Sequence, residues 1–241
     1  MKRLFDILAS LGGLILTAPL LIPVCVLIWL QDFASPFYIA PRVGKNGKIF
    51  KMVKLRSMVT NADKSGVDST GANDKRITPI GKFVRSYKLD ELSQLWNVLK
   101  GDMSLVGPRP NVQREVNLYT DAERRLLNVR PGITDISSIV FADEGEILKD
   151  SVDPDIAYNQ LIRPWKSRLG LLYVENSSLA LDLKLIFLTI VAIISREQAL
   201  AGVQKILDEL GAPETVKRAA KRQEKLTPCP PPGAQAVVMS R

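Results

Sequence analysis

The sequence contains no histidine and only two cysteines among its 241 residues. Without histidine, the chain has no imidazole base, no Ser-His-Asp triad and no His-ligated zinc, so carboxylates, lysines or hydroxyls must carry any catalysis. Cys25 lies in an apolar run and Cys229 in a proline-rich tail, which argues against a structural disulfide and for an intracellular location. Aromatic residues make up only 6% and no nucleic-acid reading motif occurs, so we expect no nucleic-acid partner.

Acidic residues are outnumbered by basic ones, 25 against 33, and the formal net charge is +8. This balance favours anionic partners, which include phospholipid head groups and phosphorylated substrates. The length allows one domain with appendages. Composition alone does not choose among the anionic partners or set the oligomeric state.

The N-terminus carries 24 residues without a charge, from Ile7 to Leu30. This run exceeds the roughly 20 residues that cross a bilayer and the roughly 7 to 15 of a signal peptide. Pro19 lies near its middle and Pro23 one turn later, which favours a break. Basic residues on both flanks favour the cytoplasmic side for both ends. We therefore predict a re-entrant helix-break-helix over residues 1–32 that breaks at Pro19. A simple spanning helix is the alternative.

Asn46-Gly47 stands between two β-prone runs and predicts a tight β-hairpin. Residues 57–78 are rich in Ser, Thr, Asn, Asp and Gly, which predicts a mobile loop in a position to act as a lid.

The segment LDELSQLWNVLKGDMSLVGPRP, residues 89–110, has apolar residues at spacings of three and four. The spacing predicts one helix that ends at Gly101, with Asp90, Gln94 and Asn97 on the polar face. Asp90 and Glu91 then lie in the first turn. They either stabilise the helix N-terminus by about 0.3 to 1 kcal/mol or take part in chemistry.

The end of this segment favours chemistry, because Pro108 and Pro110 enclose Arg109 and restrict its backbone. A guanidinium held in this way is preorganised for bidentate phosphate contact. Carboxylates that hold Mg²⁺, together with such an arginine, can position a diphosphate, and a carboxylate can also be the nucleophile. The rival interpretation is a membrane-anchored module that binds anionic lipid without catalysis. That module gives no reason for an acid pair near a restrained arginine.

The chain resembles the bacterial sugar transferases, specifically the small monotopic phosphoglycosyl transferases, over residues 2–195. The motifs that carry the resemblance are KRLFDI, FYIAPRVGKNGKIFKMVKLRSM, ITPIGKFVRSYKLDELSQLWNVLKGDMSLVGPRP and RPGIT. The resemblance implies a mainly α fold with a short β-hairpin, a re-entrant membrane helix and interfacial helices, on the cytoplasmic face of the bacterial inner membrane. It also implies Mg²⁺-dependent transfer of a phosphosugar from a UDP-sugar to undecaprenyl phosphate, with release of UMP.

The resemblance assigns roles to individual residues. Asp90 corresponds to the nucleophile that forms a covalent phosphosugar intermediate, and Glu91 to the second acid, which assists the metal or the second attack. Arg109 corresponds to the phosphate-binding arginine, Arg85 to a second basic position, and Arg56 is a weaker candidate for the same pocket. A non-covalent mechanism, in which Asp90 only binds metal, stays open.

One departure from the family pattern affects specificity. Where relatives commonly read GWAQVNGR after RPGIT, this chain reads DISSIVFADEGE from Asp135. The resemblance therefore transfers no sugar preference.

The sequence predicts four parts. The membrane hairpin, residues 1–32, precedes a cytosolic transferase domain, residues 33–200, a basic helix, residues 201–226, and a disordered tail, residues 227–241. The apolar stretch near residue 190 is too short to cross a bilayer, which predicts an interfacial or core helix.

Overall fold

The computed structural model describes residues 1–62 and 74–239 and is mainly helical with a short antiparallel hairpin, as the sequence predicted. The helices are α1 (Lys2–Leu30), α2 (Pro79–Ser86), α3 (Leu89–Leu92), α4 (Leu95–Lys100), α5 (Gln113–Asn117), α6 (Asp121–Arg124), α7 (Ile136–Val140), α8 (Glu144–Ile147), α9 (Pro154–Ala157), α10 (Arg163–Glu175), α11 (Leu179–Ile194), α12 (Arg196–Glu209) and α13 (Glu214–Lys221). The strands are β1 (Phe37–Val43), β2 (Ile49–Leu55), β3 (Ser104–Val106) and β4 (Gly132–Thr134). The predicted lid falls largely on residues 63–73, which lie outside the described residues.

Helix α1 is the one helix of the described chain that is long and apolar enough to cross a membrane. It runs without interruption through Pro19 and Pro23, so the predicted break at Pro19 is wrong. Each proline removes one rung of the hydrogen-bond ladder, and the remaining rungs keep the helix continuous. The apolar side chains in this sequence cannot form hydrogen bonds with the backbone, so the backbone N–H and C=O groups pair with one another in the helix.

The first turns of α1 are fixed to the rest of the protein by polar side chains. Lys2 pairs with Asp182 on α11. The buried Asp6 accepts hydrogen bonds from Ser104 Oγ at 2.9 Å and from the next backbone N–H at 3.1 Å. Arg3 donates to two carbonyls near the end of α4. The charged residues of KRLFDI are therefore structural contacts as well as a basic flank.

The last turns of α1 pack on the other end of the same body. Val24 and Ile28 are buried in a cluster with Leu55 of β2, Val84 of α2 and Leu89 of α3. Since both ends of α1 contact elements that lie between residues 55 and 182, the helix lies along this part of the protein.

The predicted hairpin is confirmed: β1 and β2 pair antiparallel from Phe37↔Leu55 to Val43↔Ile49. Asn46 and Gly47 form its turn with φ values of 57° and 76°. Side chains on facing residues of antiparallel strands share one side of the ribbon, so Arg42 and Lys54, opposite Phe50 and Tyr38, lie on the same side.

The segment from residue 89 to residue 100 forms two short helices, α3 and α4, instead of the single helix predicted. Gly101 ends α4 with a φ of 97°, as predicted. The predicted polar face is wrong, because Gln94 and Asn97 are fully buried while Trp96 is 51% exposed.

The edge of strand β2 explains the burial of this polar face. Asn97 donates to the carbonyl of Lys51 at 2.7 Å and accepts from the N–H of Val53 at 2.9 Å. Ser93 donates to the carbonyl of Val53 at 3.1 Å. These side chains replace a neighbouring strand, a role that helical periodicity does not reveal.

The C-terminal third differs from the prediction in two places. The single basic helix of residues 201–226 is replaced by α12 and α13, which separate at Gly211 with a φ of 64°. The tail predicted to be disordered follows a defined path up to residue 239. It accepts hydrogen bonds at the carbonyls of Pro230 and Pro232, because prolines leave free carbonyls on a stiff chain.

Helix α11 has two apolar faces. One face is buried in the largest core cluster together with α7, α10, α12 and α13. The other face is exposed and consists of Leu183, Phe187, Ile190, Ile193 and Ile194. The helix is therefore a core helix with a second, exposed apolar face, and its interfacial position stays a prediction.

Candidate active site

The acid pair lies at the start of α3, directly after Lys88, which has a left-handed φ of 56°. The side chains of Asp90 and Glu91 are 14% and 22% exposed, so both are largely buried yet reachable. Helix α3 has only four residues. So short a helix has little macrodipole for the acids to stabilise, which weakens the purely structural interpretation of the pair.

Glu91 forms a bidentate ion pair with Arg109, at 2.8 Å to Nη2 and 3.1 Å to Nη1. Burial alone would raise the pKa of Glu91, but Arg109 and Lys54 outweigh it and hold that pKa at about 2. Burial likewise lowers the pKa of Arg109, and Glu91 more than reverses this effect. Glu91 is therefore a permanently ionised partner that orients the arginine.

Asp90 is held more loosely than Glu91. Its nearest cation is Lys54, at 3.9 Å from Oδ2. Burial raises the pKa of Asp90, Lys54 opposes that rise, and the neighbouring Glu91 adds to it. Of the two carboxylates, Asp90 is the more basic and is the one without a close, bidentate ion pair. Both are properties of a nucleophile.

Two cations of the site were not singled out from the sequence. Lys54 and Arg42 project from the same side of the hairpin, and burial lowers the pKa of each, with the charge of Arg109 adding to the effect. The period-two alternation of the predicted strands, extended across the Asn46-Gly47 turn, could have placed them together.

The structure brings most of the predicted residues together. Arg109 binds Glu91, and Arg85 lies close enough to Asp90 to lower the pKa of that carboxyl. Arg56 is different: its guanidinium binds both oxygens of Asp32, at 2.5 and 2.6 Å, and the carbonyl of Ile28 at 3.2 Å. It therefore ties the end of α1 to the residue that follows β2, and its buried Nε has no hydrogen-bond partner in the described part of the chain. A role of Arg56 in phosphate binding stays a prediction.

The loop that carries Arg109 is positioned by a close backbone crossing. Gly107 donates to the carbonyl of Thr134 and Gly132 to that of Pro108, each at 3.0 Å. A Cβ added to Gly132 would lie 2.1 Å from the nitrogen of Gly107, so only glycine fits. Pro108 is buried where the two backbones meet, and Pro110 is half-buried. Pro108 therefore contributes to the packing that holds the arginine loop in place. The RPGIT motif thus shapes the arginine loop.

The site can supply part of a magnesium coordination shell. Within the described residues, no group of three or more acids, cysteines or histidines forms a complete metal cage. Mg²⁺ is normally held by one or two carboxylates together with substrate phosphates and water, which fits Asp90. Glu91 accepts one hydrogen bond from Arg109 on each carboxylate oxygen, so the second lone pair of either oxygen could also bind the ion.

The segment that departs from the family pattern begins with a structural residue. Asp135 is buried and caps α7, accepting from the N–H of Ser138 at 2.7 Å. Its charge also adds to the rise in the pKa of Arg109. The segment therefore starts beside the arginine loop.

Comparison with known proteins gives a consistent result. The profile of the family described as bacterial sugar transferase matches residues 1–196. Exopolysaccharide production protein ExoY of Sinorhizobium fredii is 35% identical over 207 residues, which cover 80% of this chain and 84% of that protein.

Two longer relatives have names that state a reaction. The undecaprenyl-phosphate galactose phosphotransferase of Salmonella typhimurium is 35% identical over 83% of this chain and 41% of its own length. The UDP-N-acetylgalactosamine-undecaprenyl-phosphate N-acetylgalactosaminephosphotransferase of Aeromonas hydrophila is 34% identical over 80% and 44%. This chain thus spans less than half of each. With the family profile covering most of the sequence, the chain belongs to the bacterial sugar transferase family.

Proposed function

We propose that the protein transfers a phosphosugar from a UDP-sugar to undecaprenyl phosphate, giving undecaprenyl-diphosphate-sugar and UMP. The observation that carries the proposal is the unequal acid pair, with Glu91 bound to Arg109 and Asp90 left reactive. Around the pair lie five cations, which are Arg42, Lys54, Arg85, Lys88 and Arg109. The acids are Asp90, Glu91 and Asp135, so five cations against three acids leave a positive excess that suits a diphosphate.

In the first half-reaction, an oxygen of Asp90 attacks the phosphorus next to the sugar. A bond forms between that oxygen and phosphorus, the bond to the bridging oxygen breaks, and UMP leaves. In the second half-reaction, an oxygen of the lipid phosphate attacks the same phosphorus and Asp90 departs as a carboxylate. Arg109 and Lys54 balance charge on the phosphoryl oxygens. The carboxylates of Asp90 and Glu91 would hold Mg²⁺, and the ion would supply polarisation of the phosphoryl group.

The competing mechanism within the same reaction is direct attack by the lipid phosphate. Asp90 would then serve only the metal, and no protein-bound phosphosugar would form. The raised pKa of Asp90 favours the covalent route, because a more basic carboxylate is a better nucleophile.

We also propose that α1 enters the cytoplasmic face of the bacterial inner membrane from one side only. The polar contacts of Lys2 and Asp6 at its start and the contact of Arg56 with the carbonyl of Ile28 at its end support this topology, because they join both ends to one domain. Its outer face carries exposed apolar side chains such as Leu16 and Ile22, and the exposed face of α11 adds a second lipid contact.

The sugar is left open, because the relatives' names specify galactose in one case and N-acetylgalactosamine in the other. We propose the starting step of a glycan assembly, and the relative named for exopolysaccharide production supports that setting.

UMP release from a panel of UDP-sugars tests the function, using purified protein with undecaprenyl phosphate and Mg²⁺. Asp90→Asn should abolish turnover, whereas Asp121→Asn, an exposed acid on α6, should leave it unchanged. Equal turnover by the Asp90 variant would contradict the mechanism. Lipid binding that persists in chelator, without turnover of any sugar, would favour the binding module instead.

A further inference from the structure

Gln94 stands out among the buried polar side chains. It is fully buried, and neither its Nε2 nor its Oε1 has a hydrogen-bond partner in the part of the chain that the structure describes. The adjacent buried side chains Ser93 and Asn97 bind the edge of β2. A buried carboxamide without partners is unfavourable, so a fold that retains one calls for an explanation.

The position of Gln94 links it to the acid pair. Its N–H bonds to the carbonyl of Glu91 and its own carbonyl accepts from Val98, both at 3.0 Å, so the backbone here is helical. At about 100° per residue, Gln94 projects between Asp90 and Glu91, one turn further along. Helical side chains lean towards the N-terminus, which directs the Gln94 carboxamide towards the first turn of α3.

The chemistry on either side of that position is complementary to a carboxamide. The site presents one acceptor, the Asp90 carboxylate, and one donor, the Lys54 ammonium, 3.9 Å apart. A carboxamide has one donor end and one acceptor end.

We infer that Gln94 is a positioning residue for the transfer reaction, donating from Nε2 to the Asp90 carboxylate and accepting at Oε1 from Lys54 in the reacting complex. It thereby fixes which Asp90 oxygen attacks phosphorus. This role rests on the proposed function, since it acts through the nucleophile.

The test distinguishes a positioning role of Gln94 from a structural role by measuring two quantities, the thermal midpoint and the rate of UMP release. Gln94→Met is similar in size and removes both unpartnered polar atoms, so its thermal midpoint should equal or exceed that of wild type. Its single-turnover rate of UMP release should fall by about 10- to 100-fold, as expected when a hydrogen bond to a charged group is lost, with little change in KM for the UDP-sugar. Gln94→Asn keeps the carboxamide on a shorter side chain and should lose rate similarly.

Gln113→Met, the same substitution on an exposed face of α5, is the matched control and should alter neither quantity. A Gln94→Met protein that releases UMP at the wild-type rate would overturn the proposal. So would a loss of rate that merely parallels a loss of thermal stability, because that result would make Gln94 a structural residue. Absence of UMP release by wild type would instead contradict the transfer reaction itself, and the role of Gln94 with it.

Discussion

At the scale of single residues, the two acids differ because their neighbours differ. Glu91 is satisfied by both nitrogens of the Arg109 fork, whereas Asp90 faces a lysine at 3.9 Å. The acid pair and the arginine were predicted, because two adjacent acids and an arginine between two prolines can be recognised directly in the amino-acid sequence. It did not predict which acid the arginine binds, because that depends on how the loop of Pro108 docks on Gly132.

Lys54 should set the acid limb of the pH profile. Burial raises the pKa of Asp90 and Lys54 lowers it, so Lys54→Met leaves the carboxylate protonated up to a higher pH. The attacking group must be ionised, so activity is lost sooner as the pH falls. We expect the acid limb of kcat/KM to move to higher pH.

Lys51→Met is the control for this prediction, because Lys51 lies on the same strand and is exposed on its other side. Its profile should match that of wild type. An unchanged acid limb in the Lys54 variant would mean that Asp90 does not govern that limb.

At the scale of secondary-structure elements, the sequence predicted the features that depend on a few neighbouring residues. The hairpin followed from Asn46-Gly47, and the end of α4 followed from Gly101. The polar face of α4 was misassigned, because Asn97 is buried only to satisfy the edge of β2. Such a tertiary contact leaves no trace in the 3.6-residue period.

The crossing of β3 and β4 should tolerate no side chain at Gly132. Alanine there would place its Cβ 2.1 Å from the nitrogen and 2.4 Å from the oxygen of Gly107, and neither backbone atom can rotate away. We expect Gly132→Ala to lower the free energy of unfolding by about 3 kcal/mol and to displace Arg109, measured as thermal midpoint and UMP release.

Gly12→Ala provides the matched comparison, because a Cβ added there meets nothing within 4 Å. In the interior of α1 that change should be neutral or slightly stabilising. A Gly132→Ala protein as stable and active as the Gly12 variant would show that the close crossing is not required.

At the scale of the whole molecule, the proposed membrane topology depends on α1. Basic flanks predicted the same side for both ends, and the contacts made by Lys2 and Arg56 join both ends of the helix to the rest of the protein. The break at Pro19 was expected from proline alone. The structure keeps the helix continuous, since two missing rungs do not unwind 29 residues.

Cysteine labelling tests this topology. With Cys25 and Cys229 replaced, single cysteines at Leu4 and Lys45 should react with a membrane-impermeant reagent only when the cytoplasmic face is accessible. Both positions are exposed on the protein, so lipid and side of the membrane decide their reactivity. Labelling of Leu4→Cys from the opposite face would establish a spanning helix.

The most direct test of the central claim is the intact mass of the protein after incubation with its UDP-sugar and Mg²⁺ in the absence of undecaprenyl phosphate. The covalent mechanism predicts that wild type gains the mass of one phosphosugar and releases a stoichiometric amount of UMP, that Asp90→Asn gains nothing, and that adding the lipid phosphate discharges the adduct. Lipid-dependent turnover with no adduct on wild type, under conditions that trap the first half-reaction, would contradict the account.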